Sequence, residues 1–127
     1  MKIHSLYTDG GAFNNGTRFQ KARICVVFEN EVIVKEEIGN HTNNEAEMIA
    51  IDRAFLWIKE NIKADDRAVV FSDSKLAVNM ITYVWGGQVE RLKLLRNQIA
   101  SHQPRNTVLK WMYRDFNKAG HVLELDH

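Results

Sequence analysis

The chain has 127 residues, with 17 Lys and Arg against 16 Asp and Glu, and a single cysteine, Cys25. This length suits one compact domain, and the balanced charge excludes proteins that bind nucleic acid through bulk positive charge. One cysteine excludes an internal disulfide, and no apolar run approaches the roughly 20 residues of a membrane span. We expect one domain over residues 1–127, monomeric, cytoplasmic and not bound to membranes.

Strand patterns dominate the first third of the chain. Side chains of alternating character over 2–9 predict a strand, and the Gly- and Asn-rich stretch 10–17 predicts a loop. The segments 19–30 and 31–39 are rich in β-branched residues and predict a hairpin. We therefore expect three antiparallel strands to open the fold.

Helices and strands alternate through the rest of the chain. The predicted elements are a helix over 42–62, a strand over 67–73, helices over 74–85 and 89–102, a strand over 106–114 and a short helix over 117–125. The order β-β-β-α-β-α-α-β-α predicts an α/β domain. Its five-stranded mixed sheet has three antiparallel strands followed by parallel strands, and helices flank it.

Three acids fall near the ends of these predicted elements. Asp9 ends the first strand, Asp73 ends the fourth, and Glu47 lies in the first turns of the long helix. Singly, Asp9 fits a turn before two glycines and Asp73 fits a helix N-cap. In sheets with helical crossovers, however, sites form beyond the carboxyl ends of the strands. Three carboxylates at one sheet edge favour a site for a hard cation such as Mg²⁺ or Mn²⁺.

The segment "TNNEAE" contains two glutamates that the sequence can distinguish. Thr42 and Glu45 match a capping box, in which each side chain bonds the other residue's backbone N–H. Glu47 follows two positions later, rotated by about 200° around the helix, and so cannot share that role. It lies beside the apolar face, where an unpaired carboxylate is costly. Glu47 is therefore the better candidate for a metal ligand.

The motifs "YTDGG", "TNNEAE", "FSDSKLAV" and "RDFNKAGHVLE" resemble those of type 1 ribonuclease H, over residues 3–124. The resemblance implies a ribonuclease H-like fold and hydrolysis of the RNA strand of RNA–DNA hybrids. It also implies two Mg²⁺ or Mn²⁺ ions and products with 5′-phosphate and 3′-hydroxyl ends. Asp9, Glu47 and Asp73 match the first three catalytic, metal-binding acids of this family.

Six further positions match residues that contact nucleic acid in this family. They are Gly10, Gly11, Asn15, Thr42, Asn43 and Asn44. The glycines imply close approach of the RNA backbone, and the last two asparagines imply contact with the hybrid in the minor groove. Thr42 matches a hydroxyl that binds a DNA phosphate, so its capping and binding roles coexist or compete.

The last helix departs from the family pattern, which has an Asp four residues after Asn117. This chain has His121 there. Three interpretations remain open. His121 acts as a weak catalytic ligand, which suits Mn²⁺ better than Mg²⁺. Glu124, three residues further on, supplies the missing metal-binding charge. Alternatively, the fourth position is vacant and three acids suffice for slower cleavage.

Two other functions remain as alternatives. One is a hybrid-binding pseudoenzyme that has lost turnover with the fourth acid. The other is a related metal-dependent DNA nuclease of the same fold. The three retained acids weigh against the first, and the Asn43-Asn44 pair weighs against the second.

The segment before Asn117 is also shorter than usual in this family and lacks the family's histidine. Arg114 is its only cation.

Overall fold

A computed structural model describes residues 1–14, 17–83 and 89–124. The strands are β1 (Ile3–Phe13), β2 (Lys21–Phe28), β3 (Glu31–Gly39), β4 (Arg67–Ser72) and β5 (Thr107–Trp111). The α-helices are α1 (Asn43–Asn61), α2 (Lys75–Ile81), α3 (Glu90–His102) and α4 (Lys118–Glu124), and a 3₁₀ turn spans Arg114–Phe116. The predicted α/β class and the predicted order of strands and α-helices are confirmed.

The strands form one five-stranded mixed sheet in the order β3-β2-β1-β4-β5. β2 pairs antiparallel with β1 and β3, whereas β4 pairs parallel with β1 and β5. β1 is therefore the central strand and carries both kinds of neighbour. The parallel pairs need helical crossovers, which α1 and the α2–α3 segment provide.

The hydrophobic core lies on both faces of this sheet. Along β2, Ile24 and Val26 pack with residues of α1, whereas Cys25 and Val27 pack with residues of α4. This alternation is the period of two expected for a strand buried on both faces. The sheet is thus covered by α1 to α3 on one side and by α4 on the other. Within the described residues, no helix has the apolar length needed to cross a bilayer.

β1 corrects one prediction, because it continues to Phe13 instead of ending at Asp9. The predicted loop over 10–17 is wrong for its first four residues. Gly10 pairs with Ile24 and Phe13 with Lys21, so β2 holds this stretch in the ladder despite its two glycines. Asp9 consequently lies within the strand, and pairing with the antiparallel neighbour β2 fixes its backbone.

The second helix is shorter than predicted. α2 ends at Ile81, and the following Thr82 hydroxyl donates to the Val78 carbonyl oxygen at 2.7 Å. Tyr83 then adopts a left-handed backbone conformation with φ of 62°, which ends the helix. The predicted remainder of this helix, residues 84 and 85, lies outside the described residues.

The end of the sheet opposite the acids, where β1 begins, carries a pH-sensitive contact. His4 Nε2 lies 3.1 Å from Asp66 Oδ2, and its Nδ1 lies 3.2 Å from Glu29 Oε1. These hydrogen bonds, led by that with Asp66, raise the pKa of His4, and the same contact lowers the pKa of Asp66. The His4–Asp66 pair is therefore charged on both sides over the window between the two unfolded values, about 3.9 and 6.5.

We expect His4→Gln to destabilise the protein most within that window. Because the His4 pKa is raised on folding, its contribution is fully present below about pH 6.5 and disappears as pH rises through the folded value. Because the Asp66 pKa is lowered, its contribution fades as pH falls below about 3.9. Urea unfolding of both proteins at pH 5.5 and 8.5 measures the difference. An equal difference at the two pH values would contradict this assignment.

Candidate active site

Two of the three acids meet because β1 and β4 are parallel neighbours. The last paired residues are Thr8 of β1 and Ser72 of β4. The residue that follows each of them is an acid, Asp9 after Thr8 and Asp73 after Ser72. The first turns of α1 bring Glu47 to the same place. One ligand oxygen from each carboxylate lies within 4.8 Å of the others. The predicted meeting of the three acids is thus observed.

Glu47 is oriented by the backbone of β1. The Gly10 N–H donates to Glu47 Oε1 at 2.7 Å. Glycine is required there because a Cβ at position 10 would lie 2.3 Å from the Ala46 carbonyl carbon and 2.7 Å from the Glu47 nitrogen. The absence of a side chain at Gly10 therefore allows α1 to approach β1 closely. It also allows the hydrogen bond that orients the Glu47 carboxylate.

The two glutamates of α1 divide their roles as the sequence predicts. The Glu45 N–H donates to Thr42 Oγ1, and the Thr42 N–H donates to Glu45 Oε1, which completes the capping box. Glu45 also forms an ion pair with Arg91 of α3, with 2.7 Å between Oε2 and Nε. Glu45 is therefore satisfied within the structure, and Glu47 is left to face the other acids.

Asp73 is held by a residue of the α4 terminus. Ser74 caps α2 by accepting from the Ala77 N–H, so Asp73 does not act as the cap. Instead, Asn117 Nδ2 donates to Asp73 Oδ2 at 3.0 Å and to the Thr8 carbonyl at 2.9 Å. Asn117 is fully buried. It therefore fixes one oxygen of Asp73 relative to β1.

Burial and mutual repulsion disfavour the charged forms of these acids when no cation is bound. Burial raises the pKa of Asp9, and the charge of Asp73 adds to the shift. Burial, followed by the charge of Asp9, raises the pKa of Glu47 well above its ordinary value. Removing carboxylates from water and placing them together both disfavour the charged forms. A bound cation would reverse both effects.

The donor set fits a hard divalent cation. Glu47 Oε2 is buried and has no hydrogen-bond partner among the described residues, which is a costly state for a carboxylate oxygen. It belongs to the carboxylate that lies with Asp9 and Asp73. Oxygen ligands with several negative charges are what Mg²⁺ and Mn²⁺ prefer. The acidic cluster can therefore hold a metal ion.

The acids lie in an open cavity of about 450 Å³. Its lining comprises Asp9, Gly10, Gly11, Ala12, Phe13, Arg23, Asn43, Glu47, Asp73, Ser74, Arg114, Leu123 and Glu124. Arg114 donates twice to Glu124 Oε1, at 3.1 Å from Nε and 2.7 Å from Nη2. These bonds raise the pKa of Arg114, and the charges of Asp73 and Asp9 add to the shift. Arg114 thus brings a positive charge toward the acids.

α4 presents one face to the acids. A Cβ at Gly120 would lie 3.6 Å from Asp73 Oδ2 and 3.7 Å from Asp9 Oδ2. Glu124 is four residues later, on the same face, and lines the cavity. His121 is rotated by about 100° from Gly120; it is exposed and is not among the residues that line the cavity. The structure therefore places Glu124 at the cavity and His121 beside it.

The predicted nucleic-acid contacts are only partly gathered at the cavity. Gly10, Gly11 and Asn43 line it, and Asn43 Oδ1 accepts from the Ala12 N–H at 2.6 Å. Asn44 is exposed on the first turn of α1 and is not part of the lining. Thr42 caps that helix. Asn15 lies outside the described residues.

Two site residues were not identified with these roles from the sequence. Asn117 Oδ1 accepts from the Ala119 N–H at 3.2 Å, and the amide N–H of Asn117 donates to Asp73. An Asn directly before a short helix is the signal for this cap. Arg114 has no local signal, because its position depends on Glu124, ten residues away.

Comparison with known proteins agrees with this geometry. LC11-RNase H1, isolated from compost by a metagenomic approach, is 30% identical, with a TM-score of 0.80 over 97% of this chain and 93% of its own. Its complex with an RNA/DNA hybrid matches with a TM-score of 0.73 at 30% identity, over 91% of this chain and 88% of its own. The RNase H domain of rv2228c from Mycobacterium tuberculosis shares the fold at 22% identity, with a TM-score of 0.70 over 98% of this chain and 96% of its own.

The remaining comparisons concern sequence. No curated protein matches the chain significantly. The family model for RNase H matches residues 1–122, which is nearly the whole chain and includes all three clustered acids. The match to the model and the 30% identity to LC11-RNase H1 over almost the whole chain lead to the same result. The chain belongs to the RNase H family.

Proposed function

We propose that this protein is an endoribonuclease that hydrolyses the RNA strand of RNA–DNA hybrids and leaves 5′-phosphate and 3′-hydroxyl ends. The observation that carries this proposal is the acidic cluster with its unpartnered Glu47 oxygen. The chain's place in the RNase H family supports it, as does its likeness to a protein solved with an RNA/DNA hybrid. The proposed cofactors are two Mg²⁺ or Mn²⁺ ions.

Asp9, Glu47 and Asp73 would hold the metal ions. When bound, such ions lower the pKa of water to give a nucleophile and neutralise charge on a phosphodiester. The chain's own residues prepare the site. The Gly10 N–H fixes one oxygen of Glu47 and leaves the other toward the acids, and Asn117 fixes one oxygen of Asp73. This preorganisation avoids reordering during the reaction.

The cavity also offers groups for the substrate. Gly11 is partly exposed, and a Cβ there would have no neighbour closer than 4.0 Å, which leaves room for a sugar or phosphate beside it. Asn43 is oriented by its bond to the Ala12 N–H. We propose that Gly10, Gly11, Asn43 and Asn44 contact the minor groove, where 2′-hydroxyl groups distinguish RNA from DNA. Thr42 and Asn15 are proposed to contact phosphates.

The test is cleavage of a hybrid labelled on each strand, in Mg²⁺ and separately in Mn²⁺. RNA duplex and DNA duplex of the same sequence serve as controls. We expect cleavage of only the RNA strand of the hybrid, with no cleavage when EDTA replaces the metal. Cleavage of the DNA duplex would instead indicate a DNA nuclease. Intact hybrid binding with no cleavage in either metal would indicate a pseudoenzyme.

Of the two candidates on α4, the geometry favours Glu124 as the fourth acid. It lines the cavity and neutralises Arg114 beside the other acids, whereas His121 is exposed outside the lining. We expect Glu124→Gln to lower kcat/KM for the hybrid by about tenfold, as for losses in the surroundings of a metal site. His121→Ala should change kcat/KM by less than about twofold, and a larger loss in His121→Ala than in Glu124→Gln would reverse the assignment.

We further propose that the chain acts in the cytoplasm as a monomeric single domain. One sheet with helices on both faces organises the described residues. Cys25, the one cysteine in the sequence, is buried within that core and forms no disulfide, which suits a reducing compartment. Sedimentation equilibrium at micromolar concentration measures the oligomeric state, and a dimer would contradict the proposal.

A further inference from the structure

An aromatic group lies next to Asp73 and has no part in the site described above. Trp111 ends β5, and its Nε1 donates to the carbonyl oxygen of Asp73 at 3.0 Å. The following Met112 N–H donates to the Ser72 carbonyl. The indole is therefore fixed directly to the backbone of a residue that supplies one of the clustered acids. Whatever Trp111 contacts lies beside the cavity on its β5 side.

Trp111 holds a cation and a second ring. Lys75 Nζ lies 4.8 Å from the centroid of the indole. The Tyr113 ring meets the indole edge-on, with 4.7 Å between centroids and an interplanar angle of 65°. Both are favourable aromatic contacts. Lys75, Trp111 and Tyr113 thus form one ordered group, which we call the aromatic–lysine patch.

The stability of the fold explains only part of this patch. Trp111 packs partly against the main core, so a structural role accounts for it. Tyr113 is 65% exposed and belongs to none of the core clusters of the described residues. A tyrosine that exposed adds little burial energy. Its ring is instead held by Trp111 with a large surface open to solvent.

The chemistry of the patch matches nucleic acid. An exposed ring stacks on a nucleobase, and a nearby ammonium pairs with a phosphate. Stacking on a ring face requires a base whose own face is uncovered, and a continuous duplex covers the faces of all but its terminal bases. A strand that leaves the duplex presents such bases. The patch therefore suits unpaired nucleotides better than the hybrid itself.

We propose that the aromatic–lysine patch binds the unpaired nucleotides of a strand that extends beyond the hybrid held at the acids. Tyr113 stacks on a base, Lys75 contacts a neighbouring phosphate, and Trp111 positions both. This inference rests on the proposed function, because it takes the hybrid to lie over Asp9, Glu47 and Asp73. It predicts a preference for junctions between hybrid and single strand over blunt hybrids.

The test compares binding of three labelled hybrids by fluorescence anisotropy, in an Asp9→Asn background that preserves the substrate. One hybrid is blunt, one has a short single-stranded 5′ extension of the RNA, and one has a 3′ extension. We expect one extension to lower Kd by about tenfold relative to the blunt hybrid, in the range of one base stacked on an aromatic ring. Tyr113→Ala should remove that gain, and Tyr113→Phe should retain it.

Tyr83→Ala is the matched control. Tyr83 is also exposed and contacts a cation, with Arg96 4.6 Å from its ring centroid, but it is not part of the patch. It should leave the gain unchanged. Equal Kd for all three hybrids, or a gain that survives Tyr113→Ala, would overturn the inference.

Cleavage of the blunt hybrid by the otherwise unaltered protein separates this inference from the proposed function. If the blunt hybrid is cleaved but neither extension lowers Kd, the patch proposal fails and the proposed function stands. If the blunt hybrid is not cleaved but the Tyr113-dependent gain is present, the proposed cleavage activity fails, whereas hybrid binding over the acids and the patch proposal that depends on it stand.

Discussion

Asp9→Asn should lower hybrid cleavage by at least about a thousandfold, as expected when a group central to catalysis is removed. Asp9 is the first residue of the central strand beyond its pairing with β4, and it shares a 4.8 Å cluster with Glu47 and Asp73. Asparagine preserves the shape of the side chain but removes a negative charge from the acidic cluster. Single-turnover cleavage of a labelled hybrid measures the loss, and cleavage within tenfold of the original rate would contradict it.

The same substitution should make the metal-free protein more stable. Burial raises the pKa of Asp9 and Glu47, so the folded state binds protons more tightly than the unfolded state. Stability therefore falls as pH rises from about 4.5 through the raised values. Asp9→Asn removes one of the buried charges and its repulsion of the other two acids. The melting temperature of the variant at pH 7 in EDTA should therefore exceed that of the original protein.

Metal addition completes this comparison. Mg²⁺ that binds only the folded state raises the melting temperature, and the rise should be much smaller in Asp9→Asn. Asp115→Asn is the control, because Asp115 is exposed on the 3₁₀ turn and does not line the cavity. It should change neither cleavage nor the response to Mg²⁺. An equal response in all three proteins would show that Asp9 does not bind the metal.

Gly10→Ala should have the largest effect on folding. The added Cβ would lie 2.3 Å from the carbonyl carbon and 2.4 Å from the oxygen of Ala46. Because these are backbone atoms of α1, the helix itself must move away from the sheet. We expect a loss of about 3 kcal/mol or more in the free energy of unfolding, at the upper end for overpacking.

Gly11→Ala provides the comparison for this prediction. A Cβ added there has only Asn43 Oδ1 nearby, at 4.0 Å. The substitution should therefore lower the free energy of unfolding by less than about 1 kcal/mol, the scale of a strand propensity difference. Urea unfolding measures both variants. Similar losses at the two positions would mean that the Gly10 contact is not the cause. Any folded Gly10→Ala protein should also cleave poorly, because the bond to Glu47 Oε1 would be displaced.

The parts of the fold that local chemistry determines were predictable from the sequence. The capping box of Thr42 and Glu45 involves residues three positions apart, and it identified both the start of α1 and the glutamate left for the site. The meeting of Asp9 and Asp73 followed from the rule that the carboxyl ends of parallel strands share one edge. These inferences needed only neighbours in sequence or the order of the elements.

The parts that depend on distant residues were not predictable in this way. Gly10 and Gly11 indicate a loop by composition, but pairing with β2 keeps them in a strand. The role of Asn117 requires Thr8 and Asp73, which are 109 and 44 residues away. The choice between His121 and Glu124 depends on the rotation of α4 about its axis, which the close approach of Gly120 to the acids reveals.

The pairing of β1 changes character at Asp9, and this has a consequence for motion. From Leu6 to Thr8 the strand pairs with β4 on one side and β2 on the other, whereas from Asp9 to Phe13 β2 is its only partner strand. Backbone with fewer cross-strand bonds opens at lower free energy. On the side that β4 leaves, two side chains of α1 take its place, because Glu47 and Asn43 accept from the N–H groups of Gly10 and Ala12. Two side-chain bonds hold less backbone than a paired strand, so Gly10 to Phe13 should open more readily than Leu6 to Thr8, while the carboxylate of Asp9 keeps its position.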